Sequence, residues 1–277
     1  MRRPRRTWTP LLVIPGLLVI AGVVLYPLTT ALLDSFTQPE DGQNPWVWVV
    51  DNPVYLKIIG RTVVTALIVT GMSILLGYPL AYITASARSS RVRAMLVVLI
   101  VLPFWTSALV RVFAWLILLQ PDGIVESILR PFGFGGTILG SVWAPRIAMV
   151  QMLLPFMVLP MYATMKGIDP ALRRAAGSLG ATPLRGFVRV FLPLSLPGVG
   201  AGSLITFILS LGFYVAPGLL GSPSQAMVGQ AVFTQVEMLN FGRGAALAGF
   251  LLVITLAVLV LAAAIRKLCA VTERRAA

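Results

Sequence analysis

The sequence predicts an all-α integral membrane protein with six transmembrane helices and both termini on the cytoplasmic side. Of its 277 residues, 58% are hydrophobic and only 11% are charged, and the mean hydropathy is +0.91. Soluble domains carry about one quarter charged residues, so this composition is typical of a membrane protein. Apolar stretches of spanning length and an unequal distribution of basic residues between the loops are the other two observations.

The apolar stretches form one transmembrane domain over residues 1–277. A spanning helix needs about 20 apolar residues. The third stretch contains Arg111, and Arg146 interrupts the fourth. The uncharged region 190–236 is too long for one helix, so the fifth span is placed in its first part. The predicted spans are about 11–33, 62–87, 94–119, 138–165, 196–220 and 244–265.

Basic residues concentrate on one predicted side of the membrane. Sixteen of the 22 lysines and arginines fall there, whereas seven of the nine acids fall on the other side. Cytoplasmic loops of membrane proteins carry the excess of basic residues, so both termini are predicted to be cytoplasmic. The sixteen are Arg2, Arg3, Arg5, Arg6, Arg88, Arg91, Arg93, Lys166, Arg173, Arg174, Arg185, Arg189, Arg266, Lys267, Arg274 and Arg275.

Composition also excludes several classes of function. The chain has no histidine and one cysteine, Cys269, so histidine-based catalysis, an intrachain disulfide and a cysteine–histidine zinc site are excluded. We expect no metal and no cofactor. The net charge of +13 does not indicate nucleic-acid binding, because the basic residues flank apolar spans. The first apolar run resembles a signal peptide, but it exceeds an h-region of about 7–15 residues and is interpreted as a retained span.

The cytoplasmic loop 166–195 carries start and stop signals for two short helices. Asp169 followed by proline is a helix N-cap with proline at the first position, and Gly180 is a C-terminal stop. Thr182 followed by proline repeats the start signal. Prolines near residue 193 are expected to separate the second helix from the fifth span.

Side chains in this loop divide into an apolar face and a basic face. The apolar positions of the first helix follow helical spacing: Leu172, Ala175, Ala176 and Leu179. The second helix carries Leu184, Phe187, Val188 and Phe191. The basic residues are Arg173, Arg174, Arg185 and Arg189. Two interpretations fit this pattern. One is an amphipathic hairpin on anionic lipid, and the other is a docking surface for a soluble partner.

The loop resembles the EAA signature of inner-membrane permeases in bacterial ABC importers. Seven residues fall at the spacing of that signature: Ala175, Ala176, Gly180, Phe187, Val190, Leu192 and Pro193. Arg174 departs from it, since the family often has glutamate at that position. The resemblance implies a type I ABC importer permease architecture, in which this loop docks in a groove of a separate ATPase subunit.

Two further segments resemble the B-type permease subunit of spermidine/putrescine importers. They are residues 102–115 in the third span and residues 211–221 in the fifth. The resemblance implies a heterodimer with a C-type permease, two copies of the ATPase, and a periplasmic or lipid-anchored binding protein, in the bacterial inner membrane. The chain has no Gly-Lys dipeptide and hence no phosphate loop, so ATP hydrolysis is assigned to a partner.

Aromatic residues near the outer half are candidates for a polyamine path. They are Phe104, Trp105, Phe213 and Tyr214, beside Pro217 in a fifth span that prolines and glycines loosen. Aromatic faces attract alkyl-ammonium groups by cation–π contact. Aromatic residues also form belts at the lipid interface and pack between helices, and this alternative stays open.

Arg111 and Arg146 are charges within predicted spans. Such charges usually face the protein interior or water, so each is a candidate for an outer gate or path residue; a structural arginine is the alternative. No carboxylate lies deep in any predicted span. That absence is in tension with a polycation and favours keeping another small solute as an alternative substrate. A standalone secondary transporter, which needs coupling acids or repeats, and a membrane enzyme are the other classes weighed.

Overall fold

The computed structural model describes residues 9–37, 42–132, 136 and 138–276. The side chains of Arg173 and of residues 265–276 lie outside the described part, as do the four N-terminal arginines. Within the described residues the chain is helical and has no strand, which confirms the all-α prediction. The α-helices are α1 (Thr9–Thr37), α2 (Pro45–Asp51), α3 (Pro53–Ser86), α4 (Ser90–Val101), α5 (Ala108–Leu119), α6 (Ile124–Leu129), α7 (Trp143–Lys166), α8 (Pro170–Ser178), α9 (Pro183–Gly186), α10 (Leu192–Leu211), α11 (Val215–Leu220), α12 (Val228–Glu237) and α13 (Phe241–Ala276).

Five helical segments of the described chain are long and apolar enough to cross a membrane, and a sixth span is possible only as a bent pair. Four of the five lie in α1, α3, α7 and α13, and the other is the continuous segment Pro183–Leu211. The bent pair is Ser90–Trp105 with Ala108–Leu119, at 95° to each other, where the sequence predicted one straight span over 94–119.

The 95° bend has a local cause. The chain leaves α4 through a 3₁₀ turn, Leu102–Trp105, and Thr106 and Ser107 then adopt extended backbone conformations. The Thr106 hydroxyl donates to the Pro103 carbonyl at 2.9 Å and closes the turn. Hydropathy is averaged over many residues, so an apolar stretch looks the same with or without such a break.

The fourth and fifth long helices differ in their bounds from the predicted spans. α7 begins at Trp143 rather than near 138, and it runs without interruption past Arg146. α10 ends at Leu211, where Gly212 follows as its C-cap, and α11 is a separate short helix. The predicted span 196–220 therefore corresponds to one helix and the start of a broken segment.

The chain forms two compact units. The first comprises residues 1–56 and 231–253, and the second comprises residues 57–230 and 254–277. In the first unit, Trp46 packs between the rings of Phe36 and Phe250, with centroid distances of 5.4 and 4.9 Å, and its indole N–H donates to the Ser35 hydroxyl at 3.1 Å.

The second unit contains the candidate sites. Its core is formed by buried residues of α7, including Met149, Met157 and Met161, against neighbouring helices. The packing of α10 on α7 is close at Gly198 and Gly202, where an added Cβ atom would lie 3.0 Å or less from atoms of α7. Small residues at four-residue spacing permit such close approach of two helices in membranes.

Candidate coupling loop and translocation path

The first helix of the loop, α8, has well-formed ends. The Asp169 carboxylate accepts a hydrogen bond from the Ala171 N–H at 2.8 Å, as expected of an N-cap. At the other end, the N–H groups of Gly180 and Ala181 donate to carbonyls of the last turn, at 3.0 Å each. These two bonds form a Schellman motif. In this motif Gly180 has φ +81°, a conformation that favours glycine.

The second helix of the loop starts as the sequence predicts but does not stop. The Thr182 hydroxyl accepts a hydrogen bond from the Arg185 N–H at 3.4 Å. α9 then passes through a π-helical turn, Phe187–Phe191, directly into α10. Pro193 has no N–H to donate to the preceding turn, and the proline ring crowds the carbonyl groups of that turn. The wider π turn relieves this conflict, so the helix continues where a break was expected.

The tip of the loop exposes apolar and basic side chains together. Leu172 is 46% exposed and Leu179 is 86% exposed. Ala175 is also exposed, whereas Ala176 is half-buried. The exposed arginines of the loop make no ion pair within the part of the chain that the structure describes. They are Arg174, Arg185 and Arg189. Exposed apolar side chains beside unpaired charges are typical of a surface that binds a partner.

An aromatic cluster fixes the base of this loop to α3. The Phe187 ring makes edge-on contacts with Tyr78 at 6.2 Å and Tyr82 at 5.5 Å between centroids. Tyr82 also contacts the buried Phe191 at 5.1 Å. Phe187 thus belongs to the anchor of the loop and not to its exposed tip.

A hydrogen bond adds a polar link between α3 and α10. The Tyr78 and Ser195 side-chain oxygens are 3.0 Å apart. Ser195 donates its only hydroxyl hydrogen to the Leu192 carbonyl at 2.8 Å, so Tyr78 is the donor to Ser195. Tyr78, Tyr82 and Ser195 carry no signal in the sequence alone, because their partners lie more than 100 residues away along the chain.

The two aromatic candidates of the bent span differ in their surroundings. Phe104 is 39% exposed and packs edge-on against Phe156, with 4.9 Å between ring centroids. Trp105 is 85% exposed and lies at the 95° bend. Phe104 therefore has a packing role, whereas the face of Trp105 is accessible.

The two in-span arginines lie in different environments. Arg146 is 9% exposed, and its guanidinium lies 5.2 Å from the centroid of the Trp143 ring. Arg111 is half-buried. Among the described residues, the Nε atoms of both and the Nη1 atom of Arg111 are buried and have no hydrogen-bond partner. Buried donors without partners are costly, which makes these two positions candidates for contact with a polar solute.

Phe213, Tyr214 and Pro217 lie at the break after α10. Pro217 is buried, Phe213 is half-buried and Tyr214 is 47% exposed. The Leu220 carbonyl accepts from the Gly140 N–H at 2.9 Å. This bond ties the broken segment to the loop before α7.

The loop after this break is tied to α3 by Arg61 and Thr62, which are not among the site residues predicted from the sequence. Arg61 donates to the Ala226 carbonyl at 3.2 Å, and the Thr62 hydroxyl accepts from the Val228 N–H at 2.9 Å. A polar side chain at the edge of an apolar span was the available sequence signal for both. These bonds hold the 221–230 loop in place.

Comparison with known proteins places this geometry in a family. Residues 77–270 match the model of the binding-protein-dependent transport system inner membrane component. The chain is 35% identical over 198 residues to the inner membrane ABC transporter permease protein YdcU of Escherichia coli K12, covering 66% of this chain and 63% of that protein. It is 31% identical over 235 residues to the spermidine/putrescine transport system permease protein PotB of the same organism, covering 80% and 84%.

A solved structure extends the likeness to the fold. The chain superposes on a bacterial ABC transporter involved in import of the acidic polysaccharide alginate with a TM-score of 0.71, at 20% identity, over 95% of this chain and 96% of that one. Together with the family match, this confirms the resemblance found in the sequence. The chain belongs to the family of inner-membrane permease components of binding-protein-dependent ABC transport systems, which is a family of non-catalytic subunits.

Proposed function

We propose that this permease carries polyamines such as spermidine or putrescine into the cytoplasm by alternating access, driven by ATP. The observation that carries the proposal is the 31% identity to PotB over four fifths of the chain. The segments 102–115 and 211–221, which resemble polyamine permeases, lie at the 95° bend and at the α10–α11 break. Broken helices border substrate paths in many transporters.

The proposed assembly has four kinds of subunit. This chain pairs with a second, distinct permease, two ATPase copies bind on the cytoplasmic side, and a periplasmic or lipid-anchored binding protein delivers the solute. The family is binding-protein-dependent by description. The unequal distribution of basic residues supports cytoplasmic termini and a cytoplasmic 166–195 loop. The sequence has no phosphate loop, which supports a separate ATPase.

In the proposed coupling step, the tip of α8 enters a groove of the ATPase. Leu172 and Leu179 supply exposed apolar contacts, and the surrounding arginines supply charge. When the ATPase dimer closes, the loop moves with it. The contacts of Phe187 with Tyr78 and Tyr82 transmit that movement to α3. The Tyr78–Ser195 hydrogen bond ties α3 to α10 in the same step.

In the proposed path, Trp105 and Tyr214 offer aromatic faces to the alkyl-ammonium groups of the substrate. Arg111 and Arg146 act as an outer gate that repels the polycation until the transporter opens. Stacking on Trp143 holds Arg146 in place for that role.

A second candidate substrate class is a small anionic solute. The observation in its favour is that the in-span Arg111 and Arg146 have buried donors without partners in the described residues, while no carboxylate lies deep in a span. Guanidinium groups bind carboxylates and phosphates with good geometry.

The binding protein that works with this permease distinguishes the two classes. Its thermal unfolding is measured with spermidine, putrescine, a dicarboxylate and a neutral sugar. The proposal predicts a rise in Tm with a polyamine alone. That polyamine must then drive uptake into proteoliposomes that contain the full transporter and ATP. A rise in Tm only with the anion or only with the sugar would refute the polyamine assignment.

A further inference from the structure

A cavity of about 370 Å³ lies at the base of the loop, where α3 and α7 end and where α4 and α8 begin. Its wall includes the three basic side chains of Arg88, Arg93 and Lys166, and no acidic side chain of the described residues lines it. Its volume is in the range of small-ligand sites. Neither the coupling step nor the substrate path uses this cavity.

The positive charge of the cavity is not balanced from within the described chain. Arg93 donates from Nη2 to the Ala87 carbonyl at 2.7 Å, but its Nε atom is buried without a hydrogen-bond partner. Asp169 is near in sequence, yet its carboxylate caps α8 and does not line the cavity. A buried donor and three cations around one space favour an anionic ligand.

Basic residues at helix C-termini often serve another purpose, which is to complement the carbonyl ends of the helices. Arg93 does so through Ala87. Within the described residues, Arg88 and Lys166 donate no hydrogen bond to a carbonyl. The contact of the Lys166 ammonium is with the Tyr162 ring, whose centroid is 6.0 Å away. Helix capping therefore accounts for one of the three charges and leaves two for a ligand.

We propose that this cavity binds the phosphodiester head group of an anionic phospholipid of the cytoplasmic leaflet. The inference rests on the orientation given under the proposed function. Since α3 and α7 are membrane spans and both end at the cavity, the cavity lies at the depth of the head groups. Ile83 on α3 and Met95 on α4 are 56% and 69% exposed, which provides apolar surface for acyl chains nearby. Basic pockets between cytoplasmic helix ends bind such head groups.

Because of the position of the cavity, a bound lipid is expected to affect the coupling loop. Ile168 and Pro170, at the start of α8, form part of its wall, and so does Phe191 of the aromatic cluster. A head group bound here would contact the base of the loop and stabilise its position. Anionic lipid is therefore expected to raise the ATP-driven uptake rate of the assembled transporter.

The test uses the assembled transporter in nanodiscs of phosphatidylglycerol mixed with phosphatidylcholine. Native mass spectrometry counts the phosphatidylglycerol molecules retained by the complex. Arg88→Gln and Lys166→Gln are each expected to lower retention about fivefold, since one basic residue near the surface contributes about that factor. Arg91→Gln is the matched control, because Arg91 is exposed, lies in the same stretch and does not line the cavity. Its retention is expected to equal that of the wild type.

Three results would overturn the inference. Equal loss of retention in Arg91→Gln means diffuse surface attraction and no site. Displacement of the lipid by inorganic phosphate at equal concentration means a soluble phosphate ligand. Loss of the ATPase from Arg88→Gln complexes with full lipid retention means that an acid of the partner fills the cavity. Because retention is counted without transport, a failed inference is distinguishable from a failed transport assignment.

Discussion

Replacing Gly202 by alanine tests the close contact between α10 and α7, which holds the loop-bearing helix in place. An alanine Cβ at this position would lie 2.7 Å from the Met157 carbonyl oxygen and 3.0 Å from its sulfur. The thioether can rotate away, but the carbonyl belongs to the backbone of α7, so the two helices must separate. Overpacking of this kind costs about 1–3 kcal/mol.

Two other glycines of α10 provide comparisons. At Gly198 the added Cβ would lie 2.7 Å from the Thr164 hydroxyl, 2.8 Å from the Thr164 Cβ and 3.0 Å from the Met161 Cα. The hydroxyl can rotate away, but the other two atoms move only with the backbone of α7, so this substitution also forces the two helices apart. At Gly200 nothing lies within 4 Å. Alanine is the better helix former, by about 1 kcal/mol, and Gly200→Ala is expected to be neutral or stabilising.

The assay is thermal unfolding of the purified transporter in detergent, followed by the fraction that remains monodisperse on size-exclusion chromatography. Gly202→Ala is expected to lower the apparent Tm by several degrees, at about 2–4 °C per kcal/mol. Gly198→Ala should also lower it, and Gly200→Ala should not lower it. If Gly200→Ala destabilises as much as Gly202→Ala, the close approach of α10 to α7 at Gly202 is not the cause and the packing argument is refuted.

Four further substitutions address the loop and the path. Tyr78→Phe removes the donor to Ser195 and costs about 0.5–1.5 kcal/mol; uptake per ATP hydrolysed should fall while ATPase binding stays constant, and unchanged coupling would count against the α3–α10 link. We expect the ATPase groove to meet Arg174 with an acidic side chain or to leave it in water, so Arg174→Glu should weaken binding of the ATPase by up to about fivefold, as measured by surface plasmon resonance. Tighter binding would contradict this expectation. Trp105→Ala should raise the apparent KM for uptake without lowering Tm. Phe104→Ala should lower Tm, because it loses an aromatic pair of about 0.5–1.5 kcal/mol. Unchanged uptake in Trp105→Ala would assign that ring to the lipid interface.

Local signals predicted the parts of the loop that depend on local physics. Asp169 and Thr182, each followed by proline, mark the starts of α8 and α9, and Gly180 marks the end of α8. Each signal needs only its own neighbours along the chain, because a cap is a hydrogen bond over two or three residues. The all-α membrane fold was also predictable, because the length and hydropathy of each span depend only on its own residues.

Features that depend on distant residues were not predictable from one sequence. Tyr78 meets Phe187 only after two helices pack, and no local pattern pairs them. The bend at Thr106 depends on two extended residues inside an apolar run, which hydropathy averages away. Proline usually ends a helix, but the π turn Phe187–Phe191 accommodates the missing N–H of Pro193 and the helix continues.

A separate ATPase is proposed to drive transport through the 166–195 loop. The most direct test of this proposal is solute uptake by proteoliposomes that contain the assembled transporter with wild-type, Gly180→Leu or Gly177→Ala permease. Gly180 has φ +81°, so leucine there is strained by about 1–2 kcal/mol at the proposed docking surface. Gly177 lies within α8, and an added Cβ meets nothing within 4 Å. We predict uptake that requires ATP and the binding protein and that survives Gly177→Ala. In Gly180→Leu, both uptake and co-purification of the ATPase should be lost. Uptake by the permease alone without ATP, or full assembly and uptake in Gly180→Leu, would contradict the proposal.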